Sequence, residues 1–450
     1  MHFLGVDISY AQFWSRIDAA TKSLDVKKGD RVAYLGYNNP EMLVLLFALA
    51  RLGAILVPLN WRLTVAEHKT ILADCTPKWI FCDQDFAVHS RNLGVPMGKL
   101  LEEKNQDLLG SDADDLLIVY TSGTTGWPKG AVLTQSALLW NGFNAIHAHD
   151  FSQADHVLTA LPMFHVGGLN NQTLPALLAG ATVTLHRRFD PMQWLADVAA
   201  RRPTVSLLVP ATMQAVIAHA DWAGTDLSSL RLLDSGSMVV PDSLIHAFHA
   251  RGVPVGQIYG CTETAPIATV LLKEDAARKV GSAGKPALHC EVKLVEGEVW
   301  VRGPNVMRAY WNDPAATAAA LTPDGWFRTG DLARVDEEGF YWIIGRSKDV
   351  IISGGENIYP AELENVLADC PEIAAAAVIG IEDSKWGEAA LACVVLQKNS
   401  RLDENAVLAL FQDLLARFKH PRRVVFLESL PKNAMGKVQK HVLKKSLGYL

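Results

Sequence analysis

The apolar run Leu116-Leu117-Ile118-Val119 leads straight into Tyr120-Thr121-Ser122-Gly123-Thr124-Thr125-Gly126-Trp127-Pro128-Lys129-Gly130. The first four residues read as a buried strand, and the stretch after them reads as a turn rich in glycine and hydroxyls. Glycines let a backbone bend sharply and approach a ligand, and the hydroxyls and Lys129 add donors suited to a polyphosphate. A Walker A loop would need Gly-Lys-Ser or Gly-Lys-Thr, whereas Lys129 here stands between Pro128 and Gly130. Alone, such a loop could equally be a solvent-exposed polar turn.

The rest of the chain sets that loop in an α/β framework. Phe13, Ile17, Ala20 and Leu24 recur at helical spacing, and Gly29-Asp30 turns into the strand 31–35. A helix over 41–52, a strand over 54–58 and a helix near 65–74 continue the alternation. Beyond the loop come strands over 156–161, 181–185 and 204–209, with helices near 168–179 and 191–201. This is the pattern of a parallel sheet with crossover helices. Residues 84–114 read as a surface connection. From 290 onward the pattern changes to alternating strands, with a turn at Asp336-Glu337-Glu338-Gly339. Past Arg346 come helices near 360–369 and 403–416 and strands near 374–379 and 389–396. The expected fold is therefore a large multi-sheet α/β domain, 1–346, and a small mobile α+β domain, 347–450.

Composition excludes several classes. A chain of 450 residues with 49% hydrophobic and 20% charged residues is globular, and a net charge of −6 gives no field for nucleic acid or an anionic membrane. The six cysteines show no metal or C-x-x-C spacing, which suits a reducing compartment. Residues 42–59 are apolar apart from Arg51, but Gly53 and Pro58 interrupt them, so no membrane insertion is expected. No signal peptide is evident, and the expected location is cytoplasmic.

Further stretches stand in order after the loop: Leu161-Pro162-Met163-Phe164-His165, Tyr259-Gly260-Cys261-Thr262-Glu263-Thr264, Gly325-Trp326-Phe327-Arg328-Thr329-Gly330-Asp331-Leu332, Gly345-Arg346-Ser347-Lys348-Asp349 running to Gly354-Gly355, and Pro431-Lys432-Asn433-Ala434-Met435-Gly436-Lys437. In this order they closely resemble the adenylate-forming superfamily of acyl-CoA synthetases, peptide-synthetase adenylation domains and beetle luciferases. The likeness is strongest to fatty-acid or hydroxycinnamate CoA ligases. It implies an enzyme that joins a carboxylate to AMP with release of pyrophosphate and then forms a thioester with coenzyme A. Loading of a carrier-protein phosphopantetheine and a nucleotide-binding protein without turnover are the alternatives.

The resemblance also implies roles. Thr121, Ser122, Gly123, Thr124, Thr125, Gly126 and Lys129 match the loop that holds the β- and γ-phosphates of ATP. Gly236, Ser237, Tyr259 and Gly260 fall at the nucleotide, with Tyr259 against adenine. Thr262 would meet the α-phosphate and Glu263 would hold Mg²⁺, a hard cation that prefers oxygen. Asp331 and Arg346 would take the ribose hydroxyls. Lys437 matches the catalytic lysine that bridges the acyl carboxylate and the α-phosphate. Lys348 matches the hinge, and Gly354-Gly355 would leave room for pantetheine. Read without the family, Asp331 could be an Asx-turn, Lys437 a solvated surface residue and Gly354-Gly355 a plain loop. The segment 417–450 holds nine Lys/Arg against Glu428, of which most reads as a solvated face.

The acyl group is expected among His165, Val166, Gly167, Asn171, Ala265 and Pro266. His165 could be a wall or a proton carrier. A second carboxylate would need a buried partner. Ile258 stands where malonate-activating relatives carry arginine, and no Asp in 165–172 could hold an amine. An apolar aryl or alkyl acid remains. Relative to the family the chain begins almost at its Tyr10 helix and has a short turn within 292–299. Both bear on stability or on contacts in a homodimer, a state the sequence leaves open.

Overall fold

In the computed structural model, the described residues are 1–98, 107–121, 128–412, 414–433 and 436–449. The phosphate-loop expectations for Ser122, Gly123, Thr124, Thr125 and Gly126 therefore lie outside the described residues. The apolar stretch that invited a membrane reading forms the helix Pro40–Leu52 and the strand Ile55–Leu59. Asn39 caps that helix through Glu41 N, and Gly53 ends it in the left-handed region at φ 69°. Nearly every side chain of the helix is buried. No helix among the described residues is long and apolar enough to cross a membrane.

The first sheet has six strands. In space they run Ala309–Tyr310, Lys129–Thr134, Asp115–Thr121, Ile55–Leu59, Arg31–Leu35 and Trp79–Cys82. The four from Asp115–Thr121 onward are parallel; the two outer strands are antiparallel. The Gly/Thr loop thus joins two paired strands, with Thr121 opposite Lys129. A second sheet of nine strands is built around Val255–Tyr259, Leu232–Gly236, Val205–Leu207, His156–Thr159 and Thr182–Leu185, all parallel. Parallel strands need crossovers, and the helices Pro191–Arg201 and Asp242–His249 supply them. Wholly buried Trp194 and Phe248 fill the layer between these helices and the sheet.

A four-stranded antiparallel sheet comes next, in the order Glu291–Val295, Glu298–Arg302, Phe327–Val335 and Tyr341–Arg346. The short 292–299 turn is closed by Glu296 and Gly297 at φ 51° and 82°, the left-handed pair that a two-residue hairpin needs. The last sheet begins at Ile351 and has its own core around Leu363, Leu367, Val394 and Phe411.

Three expectations change. Residues 84–114 are not a plain connection, because Gln84–Phe86 and Ala87–Arg91 are helical. The helix placed at 403–416 spans only Glu404–Ala409, after which the chain turns and carries wholly buried Phe411 into the core. The helix near 168–179 is three pieces, Val166–Gly168, Leu169–Thr173 and Leu174–Leu178, with the middle one wound as a π-helix. Pro175 explains the break: it has no N–H to offer the carbonyl of Asn171, and the ladder widens around it.

Candidate active site

The two large sheets present their site residues where strands end. The strand Val255–Tyr259 stops at Gly260, whose missing side chain is obligatory. A Cβ there would lie 1.7 Å from Pro266 O. The tight return after it, Thr262–Thr264, buries Thr262, Glu263 and Thr264. Thr264 Oγ1 accepts from Cys261 N at 3.0 Å and donates to Pro266 O at 2.8 Å. Gly236 is equally constrained, since its Cβ would meet Ile258 O at 2.3 Å, and Ser237 adopts φ 69°.

Tyr259, Asp331 and Arg346 come together from two different sheets. Tyr259 donates to Asp331 Oδ2 at 2.9 Å, and Arg346 Nε lies 2.6 Å from Asp331 Oδ1. Burial, followed by the Asp331 charge, raises the Tyr259 phenol well above its ordinary range, so it stays a donor. Asp331 is no isolated Asx-turn; its carboxylate is shared by an aromatic hydroxyl and a guanidinium. On the other side, Lys129 Nζ sits 5.3 Å from the Tyr310 ring centroid, while Tyr310 OH donates to Glu263 Oε1 at 2.7 Å.

Lys437 reaches the same region. Its closest electrostatic neighbours are Arg346, Asp331, Asp349 and Lys348, and its pKa is lowered by desolvation first and Arg346 next. The residue is exposed to solvent. The loop carrying it is pinned: Lys437 N donates to Asn433 Oδ1 at 2.9 Å and Asn433 N to Lys437 O at 2.8 Å. Lys348 lies on the exposed turn Ser347–Asp349, directly after the strand that ends at Arg346. Gly354 and Gly355 form the turn between the strands Ile351–Ser353 and Glu356–Ile358, at φ 61° and 86°. A Cβ on Gly354 would meet Trp386 at 2.7 Å, so this pair has a local structural reason and stands apart from the nucleotide residues. Of the basic C-terminal residues, Lys419 and Lys440 are paired with Glu362 and Glu364.

On the acyl side, His165 Nδ1 accepts from Gly167 N at 3.1 Å, which puts the proton of the neutral ring on Nε2. Burial pushes the imidazole down to about 4. Burial thus disfavours the charged imidazolium, which favours a wall and N–H donor over a proton carrier. We expect a pH profile between 5 and 8 whose shape is the same in wild type and His165→Phe; a limb near 6.5 that disappears in the variant would contradict this. Val166, Gly167, Asn171 and Ala265 are all buried. Asn170 Nδ2 donates to Ala265 O at 2.7 Å, tying the π-helix to the turn after Glu263.

Sequence reading missed four residues that hold this site. Asn38 donates to Leu161 O and His186 O and accepts from Met163 N, fixing the stretch that leads to His165. Asn305 donates to Thr264 O and Ile267 O at 2.6 and 2.7 Å. Asn170 and Tyr310 are the others. All act through partners far away in sequence, and no local signal marks them.

Mg²⁺ suits this donor set. Glu263 offers a buried carboxylate, the kind of hard oxygen ligand that a cation shared with substrate phosphates would take.

The gathering of Tyr259, Asp331 and Arg346, with Glu263, Tyr310 and Lys129 joined to one another, suits an enzyme that binds a nucleotide. Residues 1–311 match the family model "AMP-binding enzyme" and residues 362–437 match "AMP-binding enzyme C-terminal domain". The chain belongs to this family of AMP-forming acid–CoA ligases, which use ATP, Mg²⁺ and coenzyme A. It is 49% identical to an indoleacetate–CoA ligase of Aromatoleum aromaticum, over 96% of this chain and 92% of the relative. It is 42% identical to a feruloyl-CoA synthase of an Amycolatopsis species, over 99% and 95%. The o-succinylbenzoate CoA synthetase of Bacillus subtilis, solved with its acyl-adenylate intermediate, superposes with a TM-score of 0.90 at 32% identity, covering 98% of this chain and 94% of that one.

Proposed function

We propose that this ligase activates an aromatic carboxylic acid bearing an N–H or O–H donor at the end of the ring remote from the carboxylate. The observation that carries this reading is Asn171: it is 6% exposed, and its Oδ1 is buried with no hydrogen-bond partner. A buried acceptor left unpaired costs about 1–3 kcal/mol, which a donor on the ligand would recover. Asn171 lies four residues after Gly167, in the π-helical piece that follows it, farther along the segment from His165. The remaining lining, Val166, Gly167, Ala265 and Pro266, is uncharged, which suits a ring and disfavours a second carboxylate. The names of two relatives agree in chemistry: indoleacetate ends in an indole N–H and a feruloyl group in a phenolic O–H.

In this reading Thr121, Lys129 and the intervening loop hold the β- and γ-phosphates, and Gly236, Ser237, Tyr259 and Gly260 hold adenine. Asp331 and Arg346 hold the ribose, and Thr262 the α-phosphate. Mg²⁺ held by Glu263 would neutralise charge on the departing pyrophosphate. Lys437 aligns the acyl carboxylate with the α-phosphate, so catalysis rests on positioning and charge stabilisation. The thiol of coenzyme A attacks after the small unit, 347–450, swings about Lys348 against 1–346 and brings Gly354-Gly355 to the cleft. Support for that boundary is the end of one sheet at Arg346 and the start of the next at Ile351. A cytoplasmic location belongs to the same reading, supported by six cysteines that are all free.

The test is a competition among equimolar indoleacetate, ferulate, cinnamate, naphthylacetate, alkanoates of several lengths and malonate, with acyl-CoA products resolved by mass spectrometry. Indoleacetate or ferulate is expected to dominate. In Asn171→Leu, kcat/KM for the favoured acid should fall about tenfold relative to its donor-free analogue, the worth of one neutral hydrogen bond. Dominance of an alkanoate would overturn the aromatic reading, and equal losses on both analogues would remove Asn171 as the reader.

A further inference from the structure

One side chain touches both charged partners of the phosphate end of the site. Tyr310 lies on the outer strand Ala309–Tyr310, which pairs with Lys129–Thr134 so that Tyr310 stands opposite Ala131. Its neighbours lock it in place: Trp311 N donates to Gly130 O at 2.7 Å, Arg308 N to Val132 O at 3.0 Å, and Tyr310 N to Thr317 Oγ1 at 2.9 Å. Met307 N donates to Glu263 O at 2.7 Å, so the same segment holds the backbone of the carboxylate residue. The hydroxyl then takes Glu263 Oε1 at 2.7 Å, and the ring faces the Lys129 ammonium at 5.3 Å.

An ammonium and a nearly buried carboxylate within reach of one side chain would lower their energy by pairing with each other. Such a pair would remove from the site both the cation meant for phosphate and the anion meant for metal. Tyr310 offers each another partner: a charge-assisted hydrogen bond for Glu263 and a π face for Lys129.

We propose that Tyr310 is a positioning residue that fixes the Glu263 carboxylate for the divalent cation and keeps it apart from Lys129 until the metal–nucleotide complex binds. With Oε1 accepting from the phenol, Oε2 is the oxygen left to hold the cation. This rests on Glu263 being the metal ligand.

The experiment measures binding rather than turnover. Mn²⁺ affinity in the enzyme–ATP complex is read by electron paramagnetic resonance, and metal-free ATP affinity by calorimetry in EDTA. Wild type is compared with Tyr310→Phe, Tyr310→Leu and Glu263→Gln. Tyr310→Phe keeps the ring face and should weaken Mn²⁺ about tenfold, as expected for a hydrogen bond to a charged group, with metal-free ATP binding unchanged within about twofold. Tyr310→Leu should lose the same Mn²⁺ affinity and also weaken metal-free ATP binding about threefold, because Lys129 is then released towards Glu263. Wild-type Mn²⁺ affinity in Tyr310→Phe, alongside its loss in Glu263→Gln, would overturn the role of Tyr310. Wild-type affinity in Glu263→Gln would instead overturn the assignment of the metal ligand. Equal loss of metal-bound and metal-free ATP binding in Tyr310→Phe would mean general damage to the strand, and would also overturn the inference.

Discussion

Lys437→Ala is expected to reduce acyl-adenylate formation by about 10²–10³-fold while leaving thioester formation from a supplied acyl-adenylate within about threefold of wild type. The asymmetry follows from where the ammonium sits. The pinned Asn433–Lys437 loop places it beside Asp331 and Arg346, where the carboxylate and α-phosphate would meet. In the proposed reading that charge serves while the carboxylate oxygen bonds to the α-phosphorus and pyrophosphate departs. In the later step the thiol sulfur bonds to the acyl carbon, the acyl C–O bond breaks and AMP leaves, after the small unit has carried Lys437 away. The pKa carries its own signature. Because desolvation and Arg346 lower it below 10.5, the activity that depends on the ammonium is lost as pH rises through a value lower than an ordinary lysine's. Pyrophosphate exchange should therefore show an alkaline limb below 10.5, and Lys437→Arg should move that limb out of range. Equal damage to both half-reactions would remove Lys437 from the adenylation step.

Asp331→Ala should raise KM for ATP by at least about tenfold and destabilise the protein by about 2 kcal/mol. The Tyr259 hydroxyl loses its acceptor and the Arg346 guanidinium loses its ion-pair partner at once. Breaking a fully buried ion pair costs about 3–5 kcal/mol, and the smaller figure here reflects an Arg346 side chain that is 32% exposed and can be rehydrated. Asp331→Asn keeps the acceptor for Tyr259 and should recover most of the stability but not the ATP affinity, because the neutral amide cannot pair with Arg346 and accept from ribose together. Denaturant melts and ATP titration separate the two effects, and an unchanged KM in Asp331→Ala would sink the ribose role.

Much of the fold was legible because its elements are local. The strand Arg31–Leu35 and the helix Pro191–Arg201 fall where apolar spacing places them, since period and caps are properties of a dozen neighbouring residues. The π-helix at Leu169–Thr173 was not legible as such. Pro175 announces a break but not which way the ladder will widen, because that depends on what Asn170 and Gln172 bond to. The Gly354-Gly355 turn shows the opposite limit: the motif match suggested a functional reason beside the plain-loop reading, and the positive φ of both residues supplies a structural one.

By itself the sequence determined most of the order of strands and helices and the family, because each of these is written in short stretches. Only the tertiary structure decided who meets whom. Tyr310 and Glu263 are 47 residues apart and Tyr259 and Asp331 are 72 apart, and they become partners because strand order lays distant segments side by side. It also decided that burial disfavours a charged His165, since a histidine's pKa is set by what surrounds it in space and not by its neighbours in the chain.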